Sequence, residues 1–386
     1  MIEGTIGVVF MHKRGWRTLL LFVLALALLA GCGGGEGSGP VSEPGSASLP
    51  EEPSVPVIAP VEPEPEPVYP YANPLTGEGL EEDISGQRPI AIMINNLKKS
   101  LPQAGVSQAD IIYEIPAEGG VTRLLALFQS VEGVGEIGTV RSARDYYVSL
   151  AYGYDAVFLH AGGSPQAYIS IRQWGVTALD CVNGPYEGTL YWRDKERRKN
   201  AGMEHSVMTS GETICELLPT YSRVRLEHKE GYTEPLHFME KGETAAGSPA
   251  ARLTAEFSAS KTGVFTYDQE SGLYWIEAFG SPYIDANTGE QVAVKNVLVL
   301  YTDIGAVKGD DKGRISVRTT GTGKGLFLCD GVVQEIQWSR ADKNQPMQYL
   351  DASGQPLKLG VGHSYINVVD SPKRITVEET VPAEDA

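Results

Sequence analysis

An α+β or α/β fold, with a mixed-sheet N-terminal domain followed by a mostly β C-terminal domain, is predicted by three observations. Before Lys241, short runs rich in β-branched and apolar residues alternate with segments of helical spacing. After Leu253 the strand-like runs continue, but Gly, Asn and Asp turns replace the helical segments. Between the two lies "MEKGETAAGSPAAR", which has the composition of a linker. With 386 residues, 42% of them apolar, the chain is long enough for two ordinary cores.

In order along the chain, "HKRGWR" places positive charge before the thirteen-residue apolar run "TLLLFVLALALLA". That run is shorter than the roughly 20 residues a membrane-spanning helix needs, and it ends in small residues before a cysteine. Residues 1–31 therefore read as a signal peptide, and Leu29, Ala30, Gly31 and Cys32 resemble the lipobox of bacterial lipoproteins. The resemblance implies acylation of Cys32 and cleavage before it. Met11 also begins a complete n-region, so either Met1 or Met11 is a possible start. Residues 32–87 read as a disordered acidic tether, flexible where Gly and Ser dominate and stiffer through the Pro-Glu repeats.

The N-terminal domain is expected over 88–241. Strands are expected at "RPIAIMIN", "ADIIYEI", "VTRLLALFQ" and "DAVFLH", and "PAEGG" reads as a turn. A helix is expected in "RSARDYYVSLAYGY" with Ser142 as N-cap. A second should start at Ser164 and Pro165 and stop at Gly175. A third should carry a capping box from Thr209 to Glu212. A linker is expected at 242–252, a mostly β domain at 253–372 with hairpin turns at "CDGV" and "DASGQ", and a tail at 373–386 that forms a strand or frays.

The chain carries 49 acidic and 32 basic residues, a net charge of −17. Eleven of those acids lie in the tether, and residues 88–386 hold 29 basic against 37 acidic groups, so nucleic acid is not an expected partner. Beyond Cys32 there are Cys181, Cys215 and Cys329; Cys181 and Cys215 could bridge, but three sparse cysteines do not form a disulfide scaffold. No CxxC or HExxH spacing occurs, and no metal or cofactor is expected.

Several long segments carry a resemblance: "RPIAIMINN", "QAGVSQADIIYE", "EGGVTRLLALFQ", "GTVRSARDYYVSLAYGYDAVFLHAGGSPQA", "NVLVLY" and "GTGKGLFLCDGVV". The chain after the tether is similar to the YerB-like bacterial lipoproteins, whose halves are the paired N- and C-terminal domains of unknown function 3048. The resemblance implies a two-domain envelope lipoprotein and supplies no catalytic residues. One departure is visible: where a member would read Asn and Leu after its histidine, "MEHSVMTS" has Ser206 and Val207.

Charged residues punctuate the apolar strands. Glu114 interrupts "IIYEI", Glu118 follows in the turn, Arg123 interrupts "VTRLLAL", and Arg141 and Arg144 flank Ser142, while His160 closes the fourth strand. Such groups require partners when buried. One reading is an anion pocket in which the amides of Gly162, Gly163 and Ser164 face a carboxylate or phosphate clamped by Arg141 and Arg144. The other is internal pairing: Glu114 with Arg123, the two arginines with "PAEGG", and His160 with a backbone carbonyl. Enzymatic alternatives use Ser164 with His160 or His205, oriented by Glu114, Glu118 or Asp110, or use Glu114 and Glu118 as acid and base on a glycan. A serine followed by proline, however, suits a helix start better than a nucleophile elbow.

The densest positive cluster, Arg193 to Lys199, suits an acidic partner or a solvated face. The aromatics from Tyr186 to Trp192 could stack on a sugar or fill a core, and "GTGKG" at 321–325 reads as a hairpin turn rather than a phosphate loop. The expectation is a binding or adaptor protein, lipid-anchored on the outer face of the cytoplasmic membrane, with an anionic ligand, cell-wall polymer or envelope protein as partner. Alternatives are a cell-wall hydrolase or transferase using His160 with an acidic partner, and a structural scaffold for envelope-assembly enzymes.

Overall fold

A computed structural model describes residues 67–381; the signal peptide, Cys32 and most of the expected tether lie outside them. Order begins earlier than the acidity of the sequence suggests. Tyr71–Ala72 pairs with Gly79–Leu80, and Leu75 and Thr76 between them are fully buried. Asn73 closes this turn by accepting the Leu75 amide at 2.8 Å, and its Nδ2 donates to Asp110 at 2.9 Å. The Asn-Pro turn chemistry outweighs the surrounding Glu and Pro, so the tether ends before the expected Gln87.

Before the linker come strands β1 (Ile90–Asn96), β2 (Ile111–Pro116) and β3 (Thr122–Phe128), helix α1 (Asp145–Gly153), β4 (Val157–His160), α2 (Pro165–Trp174) and β5 (Ala178–Asp180). Helices α3 (Lys195–Ala201) and α4 (Gly211–Leu217) follow. After it come β6 (Arg252–Ser258), β7 (Lys261–Asp268), β8 (Leu273–Ala278), β9 (Asn296–Tyr301), β10 (Gly321–Cys329), β11 (Val332–Arg340), β12 (Ser364–Val369) and β13 (Ile375–Glu378). The expected α+β class, mixed first and mostly antiparallel later, is what this order produces.

One large sheet has the order β11-β10-β9-β12-β2-β3-β1-β4-β5. Strands from both sides of the linker share it: β12 runs parallel to β2, with Asn367 opposite Glu114. The central strands are apolar on both faces. Ile90, Ile92 and Ile94 of β1 enter one core with Phe265 and Tyr274, while Ala91 and Met93 enter the other with Tyr147, Phe158 and Trp338. This explains why β1 reads as a continuous apolar run. A second, antiparallel sheet, β8-β7-β6-β13, packs its inner face against the first of these cores, and β13 pairs with β6 in the segment expected as a tail.

Two helix starts differ from expectation. Arg144 occupies the N-cap of α1, and the Ser142 hydroxyl instead donates to the Ala161 carbonyl at 2.9 Å. Ser210, not Thr209, caps α4, because the Thr209 hydroxyl donates to Leu190. Helix α2 follows the expected chemistry: Ser164 accepts the Ala167 amide, Pro165 opens the helix and left-handed Gly175 closes it. Between β10 and β11, Asp330 and Gly331 both have positive φ, the backbone of the expected tight hairpin. Cys181, Cys215 and Cys329 are free thiols, with Cys215 exposed and the others buried, so the possible bridge is not formed.

Candidate functional site

The predicted residues other than Glu114 fall into three groups, the first two of which meet at the Ala143 carbonyl, where Ser164 N–H and Arg144 Nη1 both donate. The first is the turn from β4 to α2. Gly162 there has φ of 76°, a conformation that favours glycine, and its N–H points at Asp180 rather than at solvent, donating to Oδ1 at 2.7 Å. The same oxygen accepts from Val182 N–H at 2.9 Å, while Oδ2 accepts from the Tyr168 hydroxyl at 2.7 Å and from Asn183 at 3.0 Å. Burial works against this carboxylate, but the charge that His160 gains in acid and these donors hold it below the usual carboxylate range.

Two amides of the expected anion cradle are thus taken internally: a carboxylate from the end of β5 accepts from Gly162, and the Ala143 carbonyl accepts from Ser164 at 3.1 Å. His160 is 1% exposed, with Nδ1 2.9 Å from the Gly162 carbonyl and 3.8 Å from Asp180 Oδ1. Burial lowers its pKa, which favours the neutral ring. A ring so enclosed, stacked on Phe158, is not presented to a substrate. The Ser164 hydroxyl is held by the helix cap.

The second group gathers Glu118, Arg123 and Arg144. Both oxygens of Glu118 accept from Arg144, through Nε at 3.0 Å and through Nη2, and Arg123 Nη2 donates to Oε1 at 3.0 Å. The remaining Arg123 fork donates to the Ser142 carbonyl, and that of Arg144 to its neighbour Ala143. Burial raises the Glu118 pKa, but the Arg144 hydrogen bond and the two guanidinium charges prevail and hold it down at about 2.

Glu114 is not the partner of Arg123. It is buried against Lys261 of β7 at 3.1 Å, and it accepts from Asn96, Thr122 and the Tyr365 hydroxyl at 2.9, 2.6 and 2.6 Å. Removing one member of such a pair would leave a buried charge unmatched. Glu114 and Glu118 therefore do not form an acid and base across a cleft: one is sealed in the core, and the other holds no proton to donate near neutrality.

The third group is one sequence reasoning only partly found. Arg141 turns away from Arg144: it donates to Glu204 through both the backbone carbonyl and Oε2, each at 2.9 Å. His205, adjacent and buried, meets Asn95 through Nδ1 at 2.7 Å. Its Nε2 lies 3.3 Å from Glu204 Oε1 but outside hydrogen-bonding geometry, and burial followed by the charges of Arg141 and Lys99 lowers its pKa. The Ser206 hydroxyl, at the position of the departure noted above, donates to the Met203 carbonyl.

Beside this group stands α3, none of whose residues is buried. Asp194 caps it, and Arg197 anchors it by donating to the carbonyls of Ser100 and Pro102 at 3.1 and 2.7 Å. That contact brings the helix against the turn that carries Lys98 and Lys99. Lys98, Lys99, Lys195, Arg198 and Lys199 are all exposed, and none of them forms an ion pair among the described residues. The basic stretch was legible in the sequence; its union with Lys98 and Lys99, about a hundred residues earlier, was not. The aromatics before it are mostly core: Tyr186, Leu190 and Tyr191 are buried. Among the described residues no cluster of three or more His, Cys, Asp or Glu could hold a metal, and no helix is long and apolar enough to cross a membrane.

Comparison with known proteins agrees with this architecture. Residues 75–222 match the N-terminal domain, and residues 253–366 the C-terminal domain, described as protein of unknown function (DUF3048). The chain is 30% identical over 306 residues to a Bacillus subtilis (strain 168) protein named "Putative lipoprotein YerB", covering 77% of this chain and 85% of that one. The crystal structure of YerB protein from Bacillus subtilis superposes with a TM-score of 0.70 at 28% identity, covering 80% of this chain and 99% of that one.

Proposed function

The chain belongs to the DUF3048 family, and from that premise we propose that it is a lipid-anchored, extracytoplasmic binding or adaptor protein that engages phosphate-bearing anionic material of the cell envelope through its basic face. Three things support the anchor: the lipobox ending at Cys32, the acidic Pro-rich segment after it, and the name of the Bacillus subtilis relative. The observation that supports the binding function is the set of five exposed cations, Lys98, Lys99, Lys195, Arg198 and Lys199, which form no ion pair among the described residues, gathered where α3 meets the Lys98–Lys99 turn in a chain whose net charge is −17. A protein this acidic repels polyanions in general, so a local cationic surface selects where and how one is met. The anion contact belongs here rather than at Gly162, because Asp180 holds that amide and Arg144 is committed to Glu118.

The test is co-sedimentation of the full chain with vesicles of phosphatidylglycerol or phosphatidylcholine, and in parallel with soluble polyphosphate, at low and high salt. Salt-sensitive binding to the anionic vesicles or to polyphosphate, lost in a Lys99→Glu, Arg198→Glu double variant that melts like the parent, is the expected result. Equal binding by parent and variant removes the basic face from the function. For the anchor, Cys32→Ser should leave the membrane fraction of cells expressing it, and continued cleavage with membrane retention would contradict lipidation.

A further inference from the structure

The segment between α4 and β6 meets the loops that follow β11 around a cavity of about 320 Å³, whose lining includes no residue of the three groups above. This volume is at the lower end of small-molecule sites, which run from about 300 to 1,000 Å³. Glu234 lines it. Its Oε2 accepts from the Tyr232 hydroxyl at 3.1 Å and the Leu236 backbone amide also favours the ionised form, but its Oε1 is shielded from bulk solvent and makes no hydrogen bond among the described residues. A buried carboxyl oxygen without a donor is costly, and such atoms are few in folded proteins.

The rest of the lining shows what would satisfy it. Asn344, Gln345 and Gln348 present exposed side-chain amides that make no hydrogen bond among the described residues, and each amide can both donate and accept. Pro235, Pro346 and Pro356 supply rigid apolar wall. Tyr232 is fixed in place by stacking on His228 at 3.8 Å and 5°. Below it, the Tyr349 hydroxyl is held in a chain with Tyr113 and Tyr154 at 3.1 and 2.8 Å.

We propose that this cavity is a binding site for a neutral, hydroxyl-rich ligand of the size of a mono- or disaccharide, with one ligand hydroxyl hydrogen-bonded to Glu234 Oε1 and others meeting the three amides. A saccharide fits better than an ammonium ion because Lys229 is part of the same lining and would repel a cation. Amides, a carboxyl and ring surface together form the mixture that matches alternating hydroxyl and C–H faces of a sugar. Burial pushes the Glu234 carboxyl up to about 7, so near neutral pH both its protonated and ionised forms are populated, and Oε1 can donate to or accept from a ligand hydroxyl. The site does not depend on the basic face, and either can fail alone.

Titration calorimetry and ligand-observed NMR on the full chain, with glucose, N-acetylglucosamine, cellobiose and chitobiose as probes and putrescine as the amine control, test the assignment. The expected result is saturable binding of at least one sugar and none of putrescine. Binding should weaken ~10-fold or more in Glu234→Leu, the loss of about one buried hydrogen bond, and stay within a few-fold of the parent in Glu234→Gln, which keeps an acceptor. A melting curve like that of the parent identifies both variants as folded. Absence of sugar binding, tighter binding of putrescine, or equal affinity in folded Glu234→Leu would each overturn the proposal.

Discussion

Glu118 and Glu234 are both carboxylates drawn partly out of water, and their surroundings drive them in opposite directions. Burial raises the pKa of each, yet Glu118 meets two guanidinium groups and is held at about 2, while Glu234 meets only the neutral donors of Tyr232 and the Leu236 amide and is left at about 7. The contrast separates internal structure from available chemistry. Around Glu118 all polar capacity is directed inward: Arg144 reaches Glu118 and Ala143, and Arg123 reaches Glu118 and Ser142. Around Glu234 one oxygen and three amides lack hydrogen-bond partners among the described residues. A cluster of charges in the sequence is thus not by itself a ligand site; the site is where hydrogen-bonding capacity exceeds what the fold consumes.

The largest consequence of this difference is in stability. Glu118→Ala leaves Arg123 and Arg144 facing each other without a shared acceptor, and should cost about 3 kcal/mol in urea unfolding. A loss well under 1 kcal/mol would mean that solvent, not Glu118, satisfies these arginines. The turn at Gly162 offers the next test. Asp180→Ala removes the acceptor for two backbone amides, Tyr168 and Asn183 at once, and should cost about 2 kcal/mol with faster hydrogen exchange at Gly162 and Val182. Unchanged exchange at those amides would show that the cradle is held by its backbone and not by Asp180.

A smaller effect appears in the acid limb of the stability curve. Glu118 ionises at about 2 in the folded chain against 4.5 as the ordinary value. Its contribution is present above pH 4.5 and is lost as pH falls towards 2, about 1–2 kcal/mol once its partial exposure is allowed for. Glu118→Gln should flatten that limb, and an unchanged slope between pH 4.5 and 2 would show that the arginines do not hold the carboxylate.

What the residues revealed beforehand follows the range of the interactions involved. The strands β1, β2 and β3 were legible because two-sided burial writes itself locally as unbroken apolar runs. The start of α2 was legible because Ser164 and Pro165 act within one turn, whereas the starts of α1 and α4 were misplaced when distant carbonyls, Ala161 and Leu190, claimed the hydroxyls of Ser142 and Thr209. Charged residues inside strands were correctly seen to need partners, but the partners were not assignable: Glu114 takes Lys261, 147 positions away, across a pairing made only when β7 packs on the large sheet. Asp180 was missed at the cradle for the same reason, although an acid ending the apolar "ALD" run before Asn183 and Gly184 was a signal that the strand end carries a function. Glu234 gave no signal in "YTEPLH"; its cavity exists only where loops more than a hundred residues apart meet.

The smallest predicted effect is the one that tests the comparison from its other side. Glu234 protonates at about 7 when folded, against an ordinary 4.5, so between those values the folded chain holds a proton that the unfolded chain has released. The stabilisation is fully present below pH 4.5 and disappears as pH rises through 7, the reverse of Glu118, and is about 1 kcal/mol for a half-buried group. Glu234→Gln cannot release that proton, so relative to the parent it should gain stability on going from pH 5 to pH 8, read as a shift in urea midpoint with an unchanged m-value. If parent and variant keep a constant difference across that range, the carboxyl is ionised throughout, a cation must compensate it, and the reading of Glu234 as the unmatched member of the pair fails.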